Sequence, residues 1–292
     1  MDVTRVDAGA VQLAYETFGD PAHPPLVLVM GLGTQMLGWP EPLCQEFVAA
    51  GFYVVRFDNR DIGRSTYMDG VQTPGLATVA LRRRAAYTVD DMAADTIGLF
   101  DGLGFERVHL VGASMGGFIA QTVALRAPER LASLTLMMTS TGSRRVGQPR
   151  PRVMNAILRA RPVPTREAAI DATVEMLRLI ASGGYPFDEP AVRAVVSESF
   201  DRGTNPAGTR RQLAAVLAQP DRTRALRTLR MPTLVLHGLD DPLVAVSGGL
   251  AIARAIPHAR FVGFWGMGHH APRELWPQLV TEITTHARSA PS

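Results

Sequence analysis

One serine lies between glycines at the point where the local pattern changes from strand to helix. The stretch HLVGASMGGFIAQTVALRAP, residues 109–128, begins as an apolar β-like run, and apolar residues with helical spacing follow Ser114. Gly112 and Gly116 stand two residues to either side, so no side chains crowd the sharp turn. Such a turn exposes the hydroxyl above a helix N-terminus, where backbone amides and the helix dipole favour negative charge. The pattern therefore predicts that Ser114 is a nucleophile.

A nucleophilic serine needs a base, and the base needs an acid that orients it. The segment HGLDDPLV offers Asp240 and Asp241, and we favour Asp241 because the fixed geometry of the following proline holds that turn. The segment GMGHHAP offers two adjacent histidines, and we favour His269 over His270 because it closes the Gly-Met-Gly run. The alternative is a tight packing turn with a passive Ser114. The acid and base that follow downstream argue against it.

Two backbone amides are expected to bind the negative charge that develops when a serine attacks a carbonyl group. Met115, directly after the serine, provides the first amide. Leu32 provides the second, because it lies where the chain leaves an apolar strand, between Gly31 and Gly33. This loop lacks the third glycine of a dinucleotide-binding fingerprint, and the sequence contains no zinc-type cluster. We therefore predict no cofactor and no metal.

The segment RFDNRDIGRS contains two further carboxylates that are spaced like a catalytic pair. For Asp58 and Asp61 we favour a structural role, because aspartate and asparagine often bond the local backbone in turns. Arg60, which stands between them, is expected to be their charged partner. His237 ends a predicted strand, and we interpret it as a core or pocket-wall histidine rather than a base.

Short runs rich in valine, leucine and isoleucine alternate with helical patterns. This is typical of an α/β fold with a mostly parallel sheet covered on both faces. Thr88 with Asp91 forms a near capping box at the start of the second predicted helix. Strands are predicted at residues 26–30, 53–58, 107–113, 131–138, 233–238 and 260–264. Helices are predicted at about residues 41–50, 88–103, 114–127, 245–256 and 274–288.

The alternation of strands and helices stops between residues 142 and 226. Proline and arginine interrupt this segment, while three stretches carry apolar residues at three- and four-residue spacing. We interpret 142–226 as a helical cap inserted into a core domain that comprises 1–141 and 227–292. The apolar helices of the cap favour an uncharged, hydrophobic substrate of small to medium size.

The composition excludes several classes of protein. Of 292 residues, 46% are hydrophobic and 20% are charged, which is too polar for a membrane bundle. No apolar run approaches the roughly 20 residues that a membrane-spanning helix needs. The N-terminus lacks the pattern of a signal peptide, and the single cysteine, Cys44, forms no internal disulfide and is predicted to be buried. We therefore expect a cytoplasmic protein without a membrane span.

Basic residues do not point to nucleic acid. The net charge is +3, and lysine does not occur. Arginine runs stand at Arg82, Arg83 and Arg84, and at Arg144 and Arg145, but no stacking aromatic residues are interleaved. We interpret these runs as solvated surface, so the predicted partner is a small-molecule substrate.

Five segments together resemble the α/β-hydrolase superfamily, and within it the aclacinomycin methylesterase group of bacterial carboxylesterases. These segments are LVMGLGTQMLGWP, VVRFDNRDIGRST, VGASMGG, DDPLV and GMGHHAP. The resemblance covers almost the whole chain and implies a mainly parallel eight-stranded sheet, a helical cap and a cofactor-free serine hydrolase. It also implies the roles of five residues: nucleophile Ser114, acid Asp241, base His269, and the oxyanion amides of Leu32 and Met115.

The resemblance implies hydrolysis of carboxylic esters through an acyl-enzyme. Met30 departs from the pattern, because many hydrolases of the superfamily have a histidine there. Lactone opening, amide cleavage and carbon-carbon bond hydrolysis are alternatives that use the same residues. Ser114 argues against haloalkane or epoxide hydrolysis, for which the superfamily uses aspartate. A protein that binds a small ligand without turnover is the non-catalytic alternative.

Overall fold

An eight-stranded sheet forms the centre of the molecule. The computed structural model describes residues 4–72, 85–159, 165–181 and 183–290. In chain order the strands are Arg5–Asp7 (β1), Gln12–Phe18 (β2), Pro25–Val29 (β3), Tyr53–Phe57 (β4), Val108–Ala113 (β5), Leu131–Met137 (β6), Thr233–Gly238 (β7) and Arg260–Phe264 (β8). In space they follow the order β1-β2-β4-β3-β5-β6-β7-β8. β2 is antiparallel to both of its neighbours, and all the other neighbouring pairs are parallel.

Helices cover both faces of this sheet, as the apolar strands of a parallel sheet require. The described residues form nine α-helices: Glu41–Ala49 (α1), Val89–Gly102 (α2), Met115–Arg126 (α3), Pro151–Arg159 (α4), Arg166–Ile180 (α5), Glu189–Arg202 (α6), Pro206–Ala218 (α7), Ser247–Ala255 (α8) and Trp276–Arg288 (α9). α1 and α9 bury Phe47 and Ile283 in one apolar cluster. α2, α3 and α8 bury Leu99, Ile119 and Ile252 in the cluster on the other face. The core is therefore two apolar layers with the sheet between them.

The sequence predicts most of these elements. All six predicted strands are present with ends within one residue, and the five predicted helices are present with ends within two. The capping box is confirmed, since the Thr88 hydroxyl accepts from the Asp91 amide and the Asp91 carboxylate accepts from the Thr88 amide. β1 and β2 complete the eight strands that the resemblance implies. The apolar pattern did not locate them, because β1 has three residues and β2 lies half exposed near the edge of the sheet.

Four helices, α4 to α7, lie between β6 and β7, and we call residues 151–218 the insertion. α4, α5 and α7 match the three apolar stretches seen in the sequence. The side chains of Thr165, Asp188 and Asn205 cap α5, α6 and α7 by accepting from backbone amides. No simple apolar stripe predicts α6, because its sequence mixes valine with charged residues and no residue in it is fully buried.

Cys44 is buried, as expected, and burial raises the pKa of its thiol to about 12. A thiol with so high a pKa is not a nucleophile at neutral pH. Arg144 and Arg145 are exposed. The run Arg82, Arg83 and Arg84 lies outside the described residues. Across the described ranges, no helix has the length and apolar character needed to cross a bilayer.

Candidate active site

Ser114 lies on a sharp turn between β5 and α3. β5 ends at Ala113, and α3 begins at Met115. Ser114 itself has φ 55° and ψ −118°, a conformation that residues with a side chain rarely adopt. Its amide donates to the Met137 carbonyl of β6 at 2.9 Å, so the strained residue stays attached to the sheet. The local structure is the sharp strand-to-helix turn that the glycine pattern predicts, and Ser114 on this turn is half-buried.

Glycines allow three backbone segments to meet around this serine. A Cβ on Gly112 would stand 2.3 Å from the Gly116 carbonyl oxygen, and one on Gly116 would stand 2.2 Å from the Val29 carbonyl oxygen. A Cβ on Gly31 would stand 3.1 Å from the Cβ of Ser114. The spacing of these glycines therefore reflects the close crossing of α3 over β5 and β3.

Ser114, His269 and Asp241 form one hydrogen-bonded line. Nε2 of His269 lies 3.0 Å from Oγ of Ser114, and Nδ1 of His269 lies 2.7 Å from Oδ2 of Asp241. Because a carboxylate oxygen only accepts, Nδ1 carries the proton and Nε2 accepts from the serine hydroxyl. Oδ1 of Asp241 accepts from the amides of Leu243 and Val244 at 2.9 and 2.8 Å. The turn after Asp241 thus holds its carboxylate toward the histidine.

The neighbouring aspartate and histidine do not join this line. Asp240 is exposed, and its carboxylate accepts from the Gly266 amide at 3.1 Å. Burial lowers the pKa of His270, and the adjacent His269 lowers it further. The hydrogen-bonded line thus contains Asp241 and His269, and their catalytic roles stay a prediction.

The insertion also contacts the loop that carries the histidine. The His269 amide donates to the carbonyl of Ile180, the last residue of α5, at 2.8 Å. A Cβ on Gly184 would stand 2.3 Å from the Cα of Gly266, so two glycines let the backbones touch. No local pattern predicts these contacts, which join segments more than 80 residues apart.

The two predicted oxyanion amides, those of Leu32 and Met115, have no hydrogen-bond partner in the part of the chain that the structure describes. Leu32 lies in a turn that the Thr34 amide closes by donating to the Gly31 carbonyl at 3.4 Å. Gly33 has φ 67°, as the third residue of a type II turn does. Met115 is the first residue of α3, so its amide has no partner within the helix.

Side chains from the segment after β4 hold this turn in place. Nδ2 of Asn59 donates to the Met30 carbonyl at 3.1 Å. Oδ1 of Asp58 accepts from the Met36 amide at 2.7 Å, and Oδ2 accepts from the Arg64 amide at 3.0 Å. The structural role predicted for Asp58 is therefore present in the geometry.

Arg60 is not the charged partner of either aspartate in its segment, contrary to the expectation. Its guanidinium binds the carboxylate of Asp95 in α2 through two hydrogen bonds of 2.5 Å. Both side chains are buried, so each supplies the opposite charge that the other needs away from water.

The two aspartates instead pair with arginines of the insertion. Oδ2 of Asp58 lies 3.2 Å from Arg202 of α6, and Asp61 accepts from Arg211 of α7 at 2.8 and 2.7 Å. Burial raises the pKa of Asp58, although Arg202 acts against that shift. Burial also acts to raise the pKa of Asp61, but hydrogen bonds from Arg211 and from the Met68 amide lower it overall. The pairs join residues 144 and 150 positions apart, so no local pattern predicts them.

His237 lies behind Asp241. It is fully buried, its Nε2 donates to the Val244 carbonyl at 2.8 Å, and that nitrogen is 3.6 Å from Oδ2 of Asp241. Burial lowers the pKa of His237, so the ring is neutral at neutral pH. This agrees with its interpretation as a wall histidine. The described part of the chain contains no group of three or more histidine, cysteine, aspartate or glutamate side chains suited to a metal ion.

Comparisons with known proteins agree with this architecture. Residues 24–272 match the family described as the alpha/beta hydrolase fold. The chain is 31% identical to rhodomycin D methylesterase DnrP of Streptomyces peucetius, with 99% of each chain covered. It is 29% identical to a 2-hydroxy-6-oxononadienedioate/2-hydroxy-6-oxononatrienedioate hydrolase of Paraburkholderia phymatum, with 85% of this chain and 83% of that protein covered. A solved structure of a thermophilic esterase from Thermogutta terrifontis is 25% identical, with a TM-score of 0.71 over 99% of this chain and 98% of that one.

These matches confirm the resemblance to methylesterases that the motifs predict, and the relatives support the prediction of an esterase. The eight-stranded, mainly parallel sheet flanked by helices is also the fold that the resemblance implies. Since the family match spans most of the chain and the methylesterase match spans nearly all of it, the protein belongs to the α/β-hydrolase fold family.

Proposed function

We propose that the protein is a serine carboxylester hydrolase. In the first half of the reaction, Oγ of Ser114 attacks the ester carbonyl carbon while Nε2 of His269 takes the hydroxyl proton. The amides of Leu32 and Met115 bind the oxyanion that forms. The bond to the alcohol oxygen then breaks, and His269 gives its proton to that oxygen. Asp241 keeps Nδ1 protonated and stabilises the charged imidazole.

In the second half of the reaction, water releases the acyl group. His269 takes a proton from the water as its oxygen attacks the acyl carbonyl, and the bond to Oγ of Ser114 then breaks. The serine oxygen recovers the proton from the imidazole. The products are one carboxylic acid and one alcohol, and the enzyme returns to its starting state.

The line from Ser114 through His269 to Asp241 is the observation that carries this proposal. The hydrogen bonds of 3.0 and 2.7 Å join residues from three separate loops. A passive serine has no need of the strained backbone at φ 55° that presents its hydroxyl to a histidine. Activation of a serine by an oriented base explains both features.

We propose small to medium uncharged esters as substrates, with residues 142–226 as a cap over the site. The methylesterase relatives support an ester with a small alcohol part, and the apolar residues of the insertion support an uncharged substrate. The cytoplasmic location remains a prediction from the composition and the N-terminal sequence.

Carbon-carbon bond hydrolysis is the second candidate. It is supported by the Paraburkholderia relative, which is named as a hydrolase of 2-hydroxy-6-oxononadienedioate, a diketone-type compound in its keto form. Lactone opening is the third, since a 3-oxoadipate enol-lactonase of Acinetobacter baylyi is 26% identical. Turnover of p-nitrophenyl and methyl esters, simple lactones and vinylogous diketones by the purified protein separates the three. We expect the highest kcat/KM with esters.

Labelling with a fluorophosphonate probe tests the nucleophile directly. We expect the wild-type protein to be labelled and to hydrolyse p-nitrophenyl esters, and Ser114→Ala to lose the label and about 10⁴-fold or more in kcat. Ser133→Ala is the matched control, because Ser133 lies in β6 and contacts the His109 ring at 2.9 Å. Labelling that persists in Ser114→Ala would contradict the proposal. So would a wild-type protein that binds esters without turnover.

A further inference from the structure

Gln212 connects the insertion to the turn that carries the Leu32 amide. It lies in α7, and its side chain is fully buried. Oε1 of Gln212 accepts from the Gly33 amide at 2.9 Å. Nε2 of the same side chain donates to the Arg60 carbonyl at 2.8 Å. One amide group therefore bridges the turn after β3 and the segment after β4.

These bonds restrict the peptide group next to the proposed oxyanion donor. The peptide between Leu32 and Gly33 is held at both ends, because the Thr34 hydroxyl donates to the Leu32 carbonyl at 3.2 Å while Gln212 accepts from the Gly33 amide. On the other side of Leu32, Asn59 holds the Met30 carbonyl. Since a peptide unit is planar, fixing the units around Leu32 limits the directions in which its own amide can point.

α7 is itself rigidly placed against this turn. Arg211, the residue before Gln212, makes two hydrogen bonds to the buried Asp61. A Cβ on Gly208 would stand 2.4 Å from the Asp61 carbonyl oxygen, so the helix backbone packs directly on that segment. The methyl group of Thr209 also lies against Gly33. Gln212 is therefore presented by a helix that cannot shift without breaking buried polar contacts.

We infer that Gln212 is a positioning residue for the oxyanion hole, and this inference rests on the proposed ester hydrolysis. Gln212 acts through Gly33 and does not touch the substrate. Besides its proposed role as a cap, the insertion then orients the Leu32 amide through Gln212 of α7. Misalignment of an oxyanion donor weakens binding of the transition state more than binding of the substrate.

Gln212→Met tests this, since methionine keeps the unbranched shape and removes both hydrogen bonds. We expect kcat with a p-nitrophenyl ester to fall about tenfold to a hundredfold while KM changes less than about threefold. Affinity for an alkyl trifluoromethyl ketone, which forms an oxyanion on the serine, should fall by a similar factor. Gln212→Glu keeps an acceptor for the Gly33 amide but loses the donor to the Arg60 carbonyl, so its kcat should lie between those of Gln212→Met and wild type.

Gln121→Leu is the matched control. Gln121 is equally buried in α3, but its side chain donates to the Ser140 carbonyl and does not touch the Leu32 turn. We expect this variant to lose thermal stability and to keep the wild-type ratio of ketone affinity to KM. Comparable kcat and ketone affinity in Gln212→Met and wild type would overturn the inference.

The remaining outcomes also decide between the proposals. If Gln212→Met does not fold, Gln212→Asn replaces it, because its side chain is one methylene shorter and cannot reach both the Gly33 amide and the Arg60 carbonyl. A folded Gln212→Asn with wild-type kcat and ketone affinity would overturn the inference. A wild-type protein that neither hydrolyses esters nor reacts with the fluorophosphonate would remove the proposed function and this inference together. Wild-type activity with an unaffected Gln212→Met would remove the inference alone.

Discussion

At the scale of single residues, the site depends on a serine held in a backbone conformation that favours glycine. Ser114 keeps φ 55° because its amide is bound to β6 and because glycines at 112 and 116 remove the clashes around it. These glycines are visible in the sequence, which is why the sharp turn at Ser114 is predictable. The choice between adjacent residues is less local. Asp241 faces His269, whereas Asp240 accepts from the Gly266 amide. Only the fold brings the histidine next to Asp241 rather than Asp240.

Substitution of Asp241 and of Asp240 should have very different effects on kcat. Asp241→Asn should lower kcat by about 10³- to 10⁴-fold, because an amide in place of the carboxylate favours the wrong tautomer of His269. Asp240→Asn should keep kcat within about threefold, since that side chain is exposed and accepts from the Gly266 amide. Steady-state kinetics with a p-nitrophenyl ester measures both. Equal losses in the two variants would show that the acid is misassigned.

At the scale of elements, the crossing of α3 over β5 and β3 places the serine above the strand ends. This crossing is close because Gly116 lets the helix backbone approach the end of β3. Apolar runs predict six of the strands, and the spacing of apolar residues together with caps predicts most of the helices. β1, β2 and α6 are not predicted in this way, because β1 has three residues, β2 buries only two of its seven residues, and no residue of α6 is fully buried.

Gly116→Ala should test this crossing. The added Cβ would stand 2.2 Å from the Val29 carbonyl oxygen, which is backbone and cannot rotate away. We expect the free energy of unfolding to fall by about 2 kcal/mol or more, together with a loss of kcat. Gly183→Ala is the control, because among the described residues no atom beyond its chain neighbours lies within 4 Å of the new Cβ. It should change stability by less than about 0.5 kcal/mol. Urea unfolding followed by circular dichroism gives both values, and similar stabilities would refute the expected clash.

At the scale of the whole molecule, buried ion pairs join the insertion to the sheet. Asp61 with Arg211 and Asp58 with Arg202 connect the segment after β4 to α7 and α6. All four side chains are at least nine-tenths buried, so each charge depends on its partner. The insertion is therefore fixed to the core on this side of the site, next to the turn that carries Leu32.

Arg211→Met should show how strongly this attachment depends on the pair. Removing the arginine leaves the Asp61 carboxylate buried without its partner, so we expect a loss of about 3 to 5 kcal/mol in the free energy of unfolding. The double variant Asp61→Asn with Arg211→Met should lose less than the single variant, because no charge is then stranded. Thermal and urea unfolding of the three variants gives the coupling between the two positions. Additive losses would mean that the two charges do not support each other.

The sequence alone determined the α/β class, six strands, the serine turn and the residue types of the proposed catalytic line. Those features follow from apolar periodicity, from glycine spacing and from motifs within a few residues of one another. Only the tertiary structure decided that Asp95 is the partner of Arg60, that Asp58 and Asp61 hold the insertion, and that Gln212 reaches Gly33. These contacts join residues 35 to 179 positions apart, and their proximity depends on how whole helices pack on the sheet. Patterns within a few residues do not encode that packing, which is why these long-range contacts around the site appear only in the folded chain.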